Sequence, residues 1–444
     1  MMTSAGRYMP SAKEATVAHE LNVWLLGQLA GELSLRHGRL CFTYAPTWLA
    51  QPDAIALSQS LPLRDAAFDD IESRPFFAGL LPEGQMRRLI AQHFHISRQN
   101  DFALLDRIGG ECAGAVSFLD PGQQLPLAAG GDDVDWQTDS QLAAILEELP
   151  RRPMLAGADG LRLSLAGAQD KLPVVVDDMH QTQPRIGLPR NGTPSSHILK
   201  PAIHAVEDSV ANEGFCMLLA QAMGLRPAQA RIHSIWGHSF LLVERYDRNT
   251  EEGGQRVRLH QEDFCQALGV VPELKYQNEG GPDLAQCFGL LRGVTRPNAP
   301  QVLRMLDAVI FNALIGNHDA HAKNFSLLYG QQAGRNATVL APLYDLLSTA
   351  VYPALTDKMA MKLGGKYRFG ELRSRHWEQF AEDAGLAKAA TKKRILALAQ
   401  SLPAAARQLQ SAPQHGFSRH AVVELVCSLI EQRCAETVQQ LSAA

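Results

Sequence analysis

The chain has 444 residues, 46% of them hydrophobic and 20% charged, with a formal net charge of −4; that length predicts two or three domains of ordinary soluble composition. The near balance of charge excludes a strong nucleic-acid footprint for the chain as a whole and leaves room for a basic partner. Seven scattered cysteines without a Cys-x-x-Cys pair argue against a disulfide framework or zinc ribbon, and no apolar run reaches the ~18 residues of a membrane span, so a cytoplasmic protein is expected.

Residues 1–20 lack the hydrophobic core of a signal peptide and read as a disordered extension. Residues 21–125 are predicted to form an N-terminal α/β subdomain. In it, 22–33 and 40–44 read as strands with glycine-bearing turns, and 85–95 and 99–108 as short helices. The Pro-, Gly- and Asp-rich stretch 121–136 is a linker candidate. Residues 126–255 alternate strand and turn at 171–176, 197–200, 230–235 and 240–245, with one helix at 209–223 closed by Gly224. Such a β-rich block with one inserted helix predicts a kinase-like small lobe. After a Glu-Glu-Gly-Gly turn at 251–254, residues 256–444 are expected to build a helical lobe. There 302–315 is apolar on nearly all sides, as in a buried helix, and 392–409 and 418–441 are amphipathic.

Chemistry-bearing groups fall at four places along this layout. Ser164-Leu165-Ala166-Gly167-Ala168-Gln169-Asp170-Lys171 is rich in small residues just ahead of a strand, where backbone amides can approach phosphate closely. It is neither G-x-G-x-x-G nor a Walker loop. Lys200 ends the strand 197–200, placed either to neutralise nucleotide phosphates or to serve as an exposed edge lysine. A phosphate-binding lysine of that kind is held by a helix glutamate; Glu213 is the natural candidate, with Glu207 also near in sequence. Val243-Glu244-Arg245-Tyr246-Asp247-Arg248 leaves a strand at the expected lobe junction, either as a backbone reader of adenine or as a charged strand end.

The fourth place is Ile315-Gly316-Asn317-His318-Asp319-Ala320-His321-Ala322-Lys323-Asn324-Phe325-Ser326, with Tyr344-Asp345 downstream. Alone, Asp319 would read as a loop aspartate capping a helix. With Asn324 five positions on and Asp345 beyond, the spacing is that of ATP-dependent phosphoryl transfer. Asp319 is then the base that orients a hydroxyl nucleophile, and Asn324 and Asp345 are hard oxygen ligands for magnesium. His321 and Lys323 lie inside the loop and could meet phosphate oxygens, though Lys323 reads equally as a solvated charge. His318-Asp319 with His321 also has the ligand spacing of His-Asp phosphohydrolases, but Asn324 and Asp345 add oxygens that suit magnesium better than zinc.

Taken together, these segments resemble the HipA family, the serine/threonine kinase toxins of type II toxin–antitoxin modules. The resemblance rests on the four segments above and on His197-Ile198-Leu199-Lys200-Pro201. It extends to His260-Gln261-Glu262-Asp263-Phe264-Cys265-Gln266-Ala267-Leu268-Gly269, Lys275-Tyr276-Gln277 and Gly280-Gly281-Pro282. In the N-terminal part it rests on Leu61-Pro62-Leu63-Arg64, Gly79-Leu80-Leu81-Pro82-Glu83-Gly84 and Gly109-Gly110-Glu111-Cys112-Ala113-Gly114-Ala115-Val116. Ala320 and Asp170 depart from the family's commoner Gly and Glu.

The resemblance implies an α+β, two-lobed, phosphatidylinositol-kinase-like fold with an added N-terminal subdomain, using ATP and magnesium. It implies that Asp319 is the base, that Asn324 and Asp345 hold metal, and that Lys200 meets ATP phosphates. Ala166 to Lys171 would form the phosphate loop, Glu244 to Tyr246 the adenine hinge, and His321, Lys323 and Tyr344 would adjoin the nucleotide. Ser164 matches the family's autophosphorylated serine. Modification there would add about −1.5 to −2 charge beside the triphosphate site and repel the loop.

The implied substrate is a translation component, typically an aminoacyl-tRNA synthetase, and the implied partner a HipB-like helix-turn-helix antitoxin that carries the DNA contact. Two other readings stand beside the growth-arresting kinase: an antitoxin-binding corepressor with weak catalysis, and a small-molecule kinase. Intact Lys200, Asp319, Asn324 and Asp345 favour an enzyme, since a scaffold has no physical need for all four.

Overall fold

Alternating buried residues open the described part of the chain. Leu21, Val23 and Leu25 point to one side of β1 (Glu20–Leu25), which pairs antiparallel with β2 (Gln28–Arg36). With β3 (Arg39–Tyr44) and β4 (Val116–Leu119) these strands form a four-stranded sheet of order β3-β2-β1-β4. Helices Asp70–Gly79, Gly84–His93 and Asp101–Ile108 accompany it, and Phe42, Phe68, Phe76, Phe77 and Phe118 join one buried cluster with Leu81 and Leu105. The computed structural model describes residues 20–124, 133–177, 184–203, 206–251, 254–332 and 335–442. The extension expected over 1–20 therefore lies outside the described residues up to position 19, as do 125–132 of the linker candidate and 252–253 of the expected turn.

A six-stranded antiparallel sheet follows, in the order β5-β7-β6-β8-β10-β9. Its strands are β5 (Val134–Trp136), β6 (Leu172–Asp177), β7 (Arg185–Pro189), β8 (His197–Pro201), β9 (Ala230–Ile235) and β10 (His238–Glu244). The end of the expected linker is thus a strand. Three residues with an aspartate at the centre carry no periodic signal, and pairing with β7 is what makes β5 extended. The helix Asp139–Glu148, unanticipated from the sequence, starts on a reciprocal cap between Thr138 and Gln141 and packs Leu142, Ile145 and Leu146 into this lobe's core.

The third and largest cluster gathers helices Leu284–Val294, Asn298–Ile315, Ser374–Asp383, Lys388–Ser411 and Ala421–Ser442. Helix Ser209–Ala222 packs into this cluster too, through Phe215, Met217 and Leu219, and so couples the strand bearing Lys200 to the larger lobe. The expected helical lobe also carries strands. A hairpin of β11 (Arg248–Thr250) and β12 (Arg256–Arg258) leads in, and β13 (Gln261–Asp263), β14 (Ser326–Gln332) and β15 (Arg335–Leu340) form a three-stranded sheet. Asp263 pairs with Ser326, so this sheet pins the exit of the Asp319 loop. All seven cysteines are buried and unpaired, and no helix among the described residues is long and apolar enough to cross a membrane.

The junction of the three cores is ionic. Glu111 is buried, and its Oε1 accepts from Ser195 N at 3.0 Å and Oγ at 2.9 Å, Arg248 Nη2 at 2.7 Å and Arg245 Nη1 at 3.3 Å. Its Oε2 accepts from Arg258 Nε at 2.9 Å. Asp247 takes the other face of Arg245 through two bonds, at 2.9 and 2.7 Å, and accepts from the Gly114 amide at 2.6 Å. Burial alone would push the Glu111 carboxyl up; Arg248, Arg258 and Arg245 instead hold it far below the usual carboxylate range.

Candidate active site

Register on the six-stranded sheet decides where Lys200 points. It lies on β8 opposite Leu241 of β10, buried, with its ammonium aimed at the helix Ser209–Ala222. Lys200 Nζ donates to Glu213 Oε1 at 2.6 Å and to Asp345 Oδ1. Glu213 is therefore the helix partner; the Glu207 carbonyl instead accepts from the Tyr352 hydroxyl. Burial would strip the charge from Lys200, but Asp345 and Glu213 hold it firmly protonated. One ammonium faces two carboxylates. Burial pushes Glu213 up against the pull of Lys200, whereas Asp345, reached by both Lys200 and Lys171, is held below its ordinary value despite its own burial.

Helix Asn298–Ile315 stops because Gly316 turns left-handed (φ +79°), where an added Cβ would strike Ala350 Cβ and Leu429 Cδ2, each at 2.7 Å. The loop that follows is bonded to itself. Asn317 Nδ2 donates to Asn312 Oδ1 at 2.8 Å and to the Asp345 carbonyl at 3.1 Å, and Asn317 Oδ1 accepts from the Asp319 amide at 3.2 Å. Asn324 Nδ2 donates to the Asp319 carbonyl at 2.9 Å, which turns its Oδ1 the other way. Asp345 itself sits at φ +52°, an uncommon backbone for a non-glycine and a mark of functional constraint. The Tyr276 hydroxyl donates to Asp319 Oδ1 at 2.7 Å; burial and that carboxylate both raise the phenol's pKa, so its proton stays on oxygen.

Facing these residues is the small-residue loop. Gly167 adopts φ +102°, and a Cβ there would lie 2.8 Å from Lys171 Nζ. Lys171 Nζ caps the loop by donating to the Ala166 carbonyl at 2.6 Å, and burial lowers its pKa. Ser164 is fully buried and donates from Oγ to the Leu80 carbonyl at 2.9 Å. On the third side, Tyr246 and Tyr344 stack with centroids 5.9 Å apart, and the Tyr344 hydroxyl donates to the Lys323 carbonyl at 2.8 Å.

These elements enclose a cavity of about 360 Å³, within the range of small-molecule sites. Ala166, Gly167, Ala168, Gln169, Lys171, Lys200, Glu244, Arg245, Tyr246, Asp319, His321, Lys323, Asn324, Tyr344 and Asp345 all line it. Ser164 and Asp170 stand outside that lining. The Arg245 guanidinium is spent on Glu111 and Asp247, so its backbone is what it can offer the cavity. Lys323 is no solvated charge: it is buried and donates to Asp263 Oδ2 at 2.6 Å.

The donor set suits magnesium. The Asn324 amide oxygen and the Asp345 carboxylate share the cavity with Lys171, Lys200 and the small-residue loop, leaving the remaining coordination positions to phosphate and water, as a hard octahedral ion requires. The His-Asp metal alternative fits poorly. His318 Nδ1 lies 3.0 Å from the Thr356 carbonyl and Nε2 3.0 Å from Arg433 Nη2, turned into packing. Among the described residues no group of three or more His, Cys, Asp or Glu side chains could hold a metal ion. Four further lining residues received no role from the sequence: Glu83, Asp263, Lys275 and Tyr276. All four lie in segments noted above for the resemblance, but no spacing within those segments marks them as neighbours.

A family model described as the HipA-like C-terminal domain matches residues 163–406, and one described as the HipA N-terminal domain matches residues 21–119. A relative from Sinorhizobium fredii, named "Putative kinase Y4mE", is 47% identical over 86% of this chain and 89% of its own. The "Serine/threonine-protein kinase toxin HipA" of Shewanella oneidensis is 28% identical over 89% of this chain and 90% of its own. Among solved structures, the complex of Shewanella oneidensis HipA, HipB and operator DNA superposes with a TM-score of 0.80 at 25% identity, covering 95% of this chain and 98% of that one.

Proposed function

Because this chain belongs to the HipA family of serine/threonine kinases, we propose that it transfers the γ-phosphoryl group of ATP to a protein hydroxyl in the cavity between its lobes. One observation carries the reading. Lys200 with its Glu213 brace, Asp319, Asn324 and Asp345 come from four separate stretches of chain and converge on one cavity with the small-residue loop. Nothing in the packing of the three cores requires that convergence.

In this reading the amides of residues 166–169 and the ammoniums of Lys200 and Lys171 receive the nucleotide phosphates, and the backbone of residues 244–246 meets the base beside Tyr246. Asn324 Oδ1 and Asp345 would hold magnesium, which would supply positive charge against the charge developing on the transferred group. Asp319 accepts the proton of the incoming serine or threonine hydroxyl as that oxygen bonds to phosphorus and the bond to the ADP oxygen breaks. Tyr276, donating to Asp319 Oδ1, fixes the carboxylate's rotamer and leaves Oδ2 for the substrate.

Ser164 is the proposed site of self-modification. Its burial against Leu80 means the loop must leave this position before the hydroxyl can reach a phosphate. A phosphoserine could not return to that site, since the added dianion would be buried among carbonyls. The proposed partner is a helix-turn-helix antitoxin bound to operator DNA, supported by the HipA, HipB and operator complex that this fold resembles. The proposed substrate is a component of translation, an aminoacyl-tRNA synthetase in the first instance.

Incubation of the purified protein with labelled ATP and magnesium, alone and with lysate, tests the reading. Label on Ser164 and on a discrete lysate protein, both absent in Asp319→Asn, is the expected result. Equal labelling by Asp319→Asn would sink it.

A further inference from the structure

Resting on that kinase reading, we propose that Glu83, carried by the N-terminal subdomain, is a positioning residue that sets the phosphate loop against the catalytic loop. It touches both. Its backbone N–H donates to the Gly167 carbonyl at 3.0 Å, and Pro82 forms a parallel bridge with Gly167. Its carboxylate faces the other way, with Oε2 accepting from Lys275 Nζ at 2.7 Å and Oε1 4.0 Å from Lys323 Nζ.

Each lysine adjoins a working residue. Lys275 precedes Tyr276, whose hydroxyl donates to Asp319, and Lys323 precedes Asn324. Lys323 is further clasped by Asp263 Oδ2 at 2.6 Å and the Gly79 carbonyl at 3.3 Å. Ser164 adds a second tie to the same segment through Leu80. A single stretch, Gly79 to Glu83, therefore fixes where the phosphoryl donor's cradle stands relative to the base. In-line transfer depends on that separation, and an error of about 1 Å can cost about 10²-fold in rate.

A purely structural tie does not account for everything at Glu83. Its Oε1 is buried and has no hydrogen-bond donor, and His321 Nδ1 is likewise buried without a partner; both residues line the cavity. Buried polar atoms are rarely left so unless a ligand or substrate group completes them. Asp319 lines the same cavity. A hydroxyl or backbone amide of the incoming substrate is the class of group that Oε1 would receive there.

Two variants separate the backbone tie from the carboxylate. Glu83→Pro deletes the N–H, and Glu83→Gln keeps it while removing the charge. Hydrogen exchange of the amides of residues 164–168, measured without nucleotide, is expected to quicken about tenfold or more in Glu83→Pro and to stay within about twofold of the parent in Glu83→Gln. In Glu83→Gln, kcat for phosphate transfer is expected to fall about tenfold or more with KM for ATP within about twofold. Unchanged exchange in a folded Glu83→Pro removes the loop tie. Parental kcat in Glu83→Gln, or a loss confined to KM, removes the positioning role and stands even if Glu83→Pro fails to fold. A parent protein that transfers no phosphate would overturn the kinase reading and the kcat half together, while the exchange measurement still decides the tie.

Discussion

Gly167→Ala puts the phosphate loop under direct test. Gly167 holds φ +102°, where alanine is strained, and the new Cβ would stand 2.8 Å from Lys171 Nζ. That ammonium cannot swing aside freely, because it is buried and bonded to the Ala166 carbonyl at 2.6 Å. Backbone strain of this kind costs about 1–3 kcal/mol, and disturbing the ammonium–carbonyl bond about 1 kcal/mol more. Without nucleotide the variant loop can relax to another backbone and escape most of that cost; in the complex it cannot. The difference, about 2–4 kcal/mol, should weaken binding at least about thirtyfold, since each 1.4 kcal/mol is tenfold. Calorimetric titration of a non-hydrolysable ATP analogue with magnesium into the Asp319→Asn background reads this without turnover. The melting temperature should move little, because Gly167 lies outside all three cores. A Kd within about threefold of the parent, with the fold intact, would show that the nucleotide does not use this loop as the structure presents it.

Three further outcomes are expected. Tyr276→Phe loses only the hydroxyl bonded to Asp319, so kcat should fall about tenfold with KM for ATP nearly unchanged, as for one hydrogen bond to a charged group; steady-state kinetics showing parental kcat would refute its role. Glu213→Gln leaves Lys200 to Asp345 alone. The destabilisation should stay below the about 3–5 kcal/mol of a fully orphaned buried charge, while kcat/KM drops by about a hundredfold; a variant that is stable and fully active contradicts the brace. Glu262 is buried under donors from Ser58, Gln59 and Tyr329, and burial, opposed by those donors, raises its carboxyl to about 7. Since the unfolded carboxyl titrates near 4.3, the folded state retains a proton that the unfolded state releases. That contribution is complete below the unfolded value and is lost as pH rises through about 7, so stability should decline from pH 5 to 8 by up to about 3 kcal/mol. Denaturant melts of Glu262→Gln should show a flatter pH dependence than the parent; an identical slope would reject the assignment.

Much of the site was legible because its residues lie in short contiguous stretches whose spacing is set by chemistry. Asp319 and Asn324 share one loop, and Gly316 announces where the preceding helix must stop. The Lys200–Glu213 pair followed from a strand end and the next helix. Glu83 was not legible as a site residue, because its role depends on a subdomain folding back across some eighty positions onto Gly167, and no local pattern encodes that. The helix Asp70–Gly79 was hidden by Pro75 in its interior, which reads as a breaker; the reciprocal cap of Asp69 and Glu72 starts the helix, and Phe76 and Phe77 bury its far end. The β13–β14–β15 sheet escaped notice because β13 has three residues and acquires its conformation from pairing.

The Glu111 junction bears on how variants of this chain are to be interpreted. Three guanidiniums and a serine converge on one carboxylate that never meets the cavity. Neutralising it would strand buried positive charge at the seam where residues 109–114 flank the segment leading to Ser164, which donates its amide to the Glu111 carbonyl at 2.9 Å. In a selection for loss of activity, substitutions at position 111 would therefore score like those at Asp319. Only a structural probe, such as a melting curve or protease sensitivity, would tell a broken keystone from an altered Asp319.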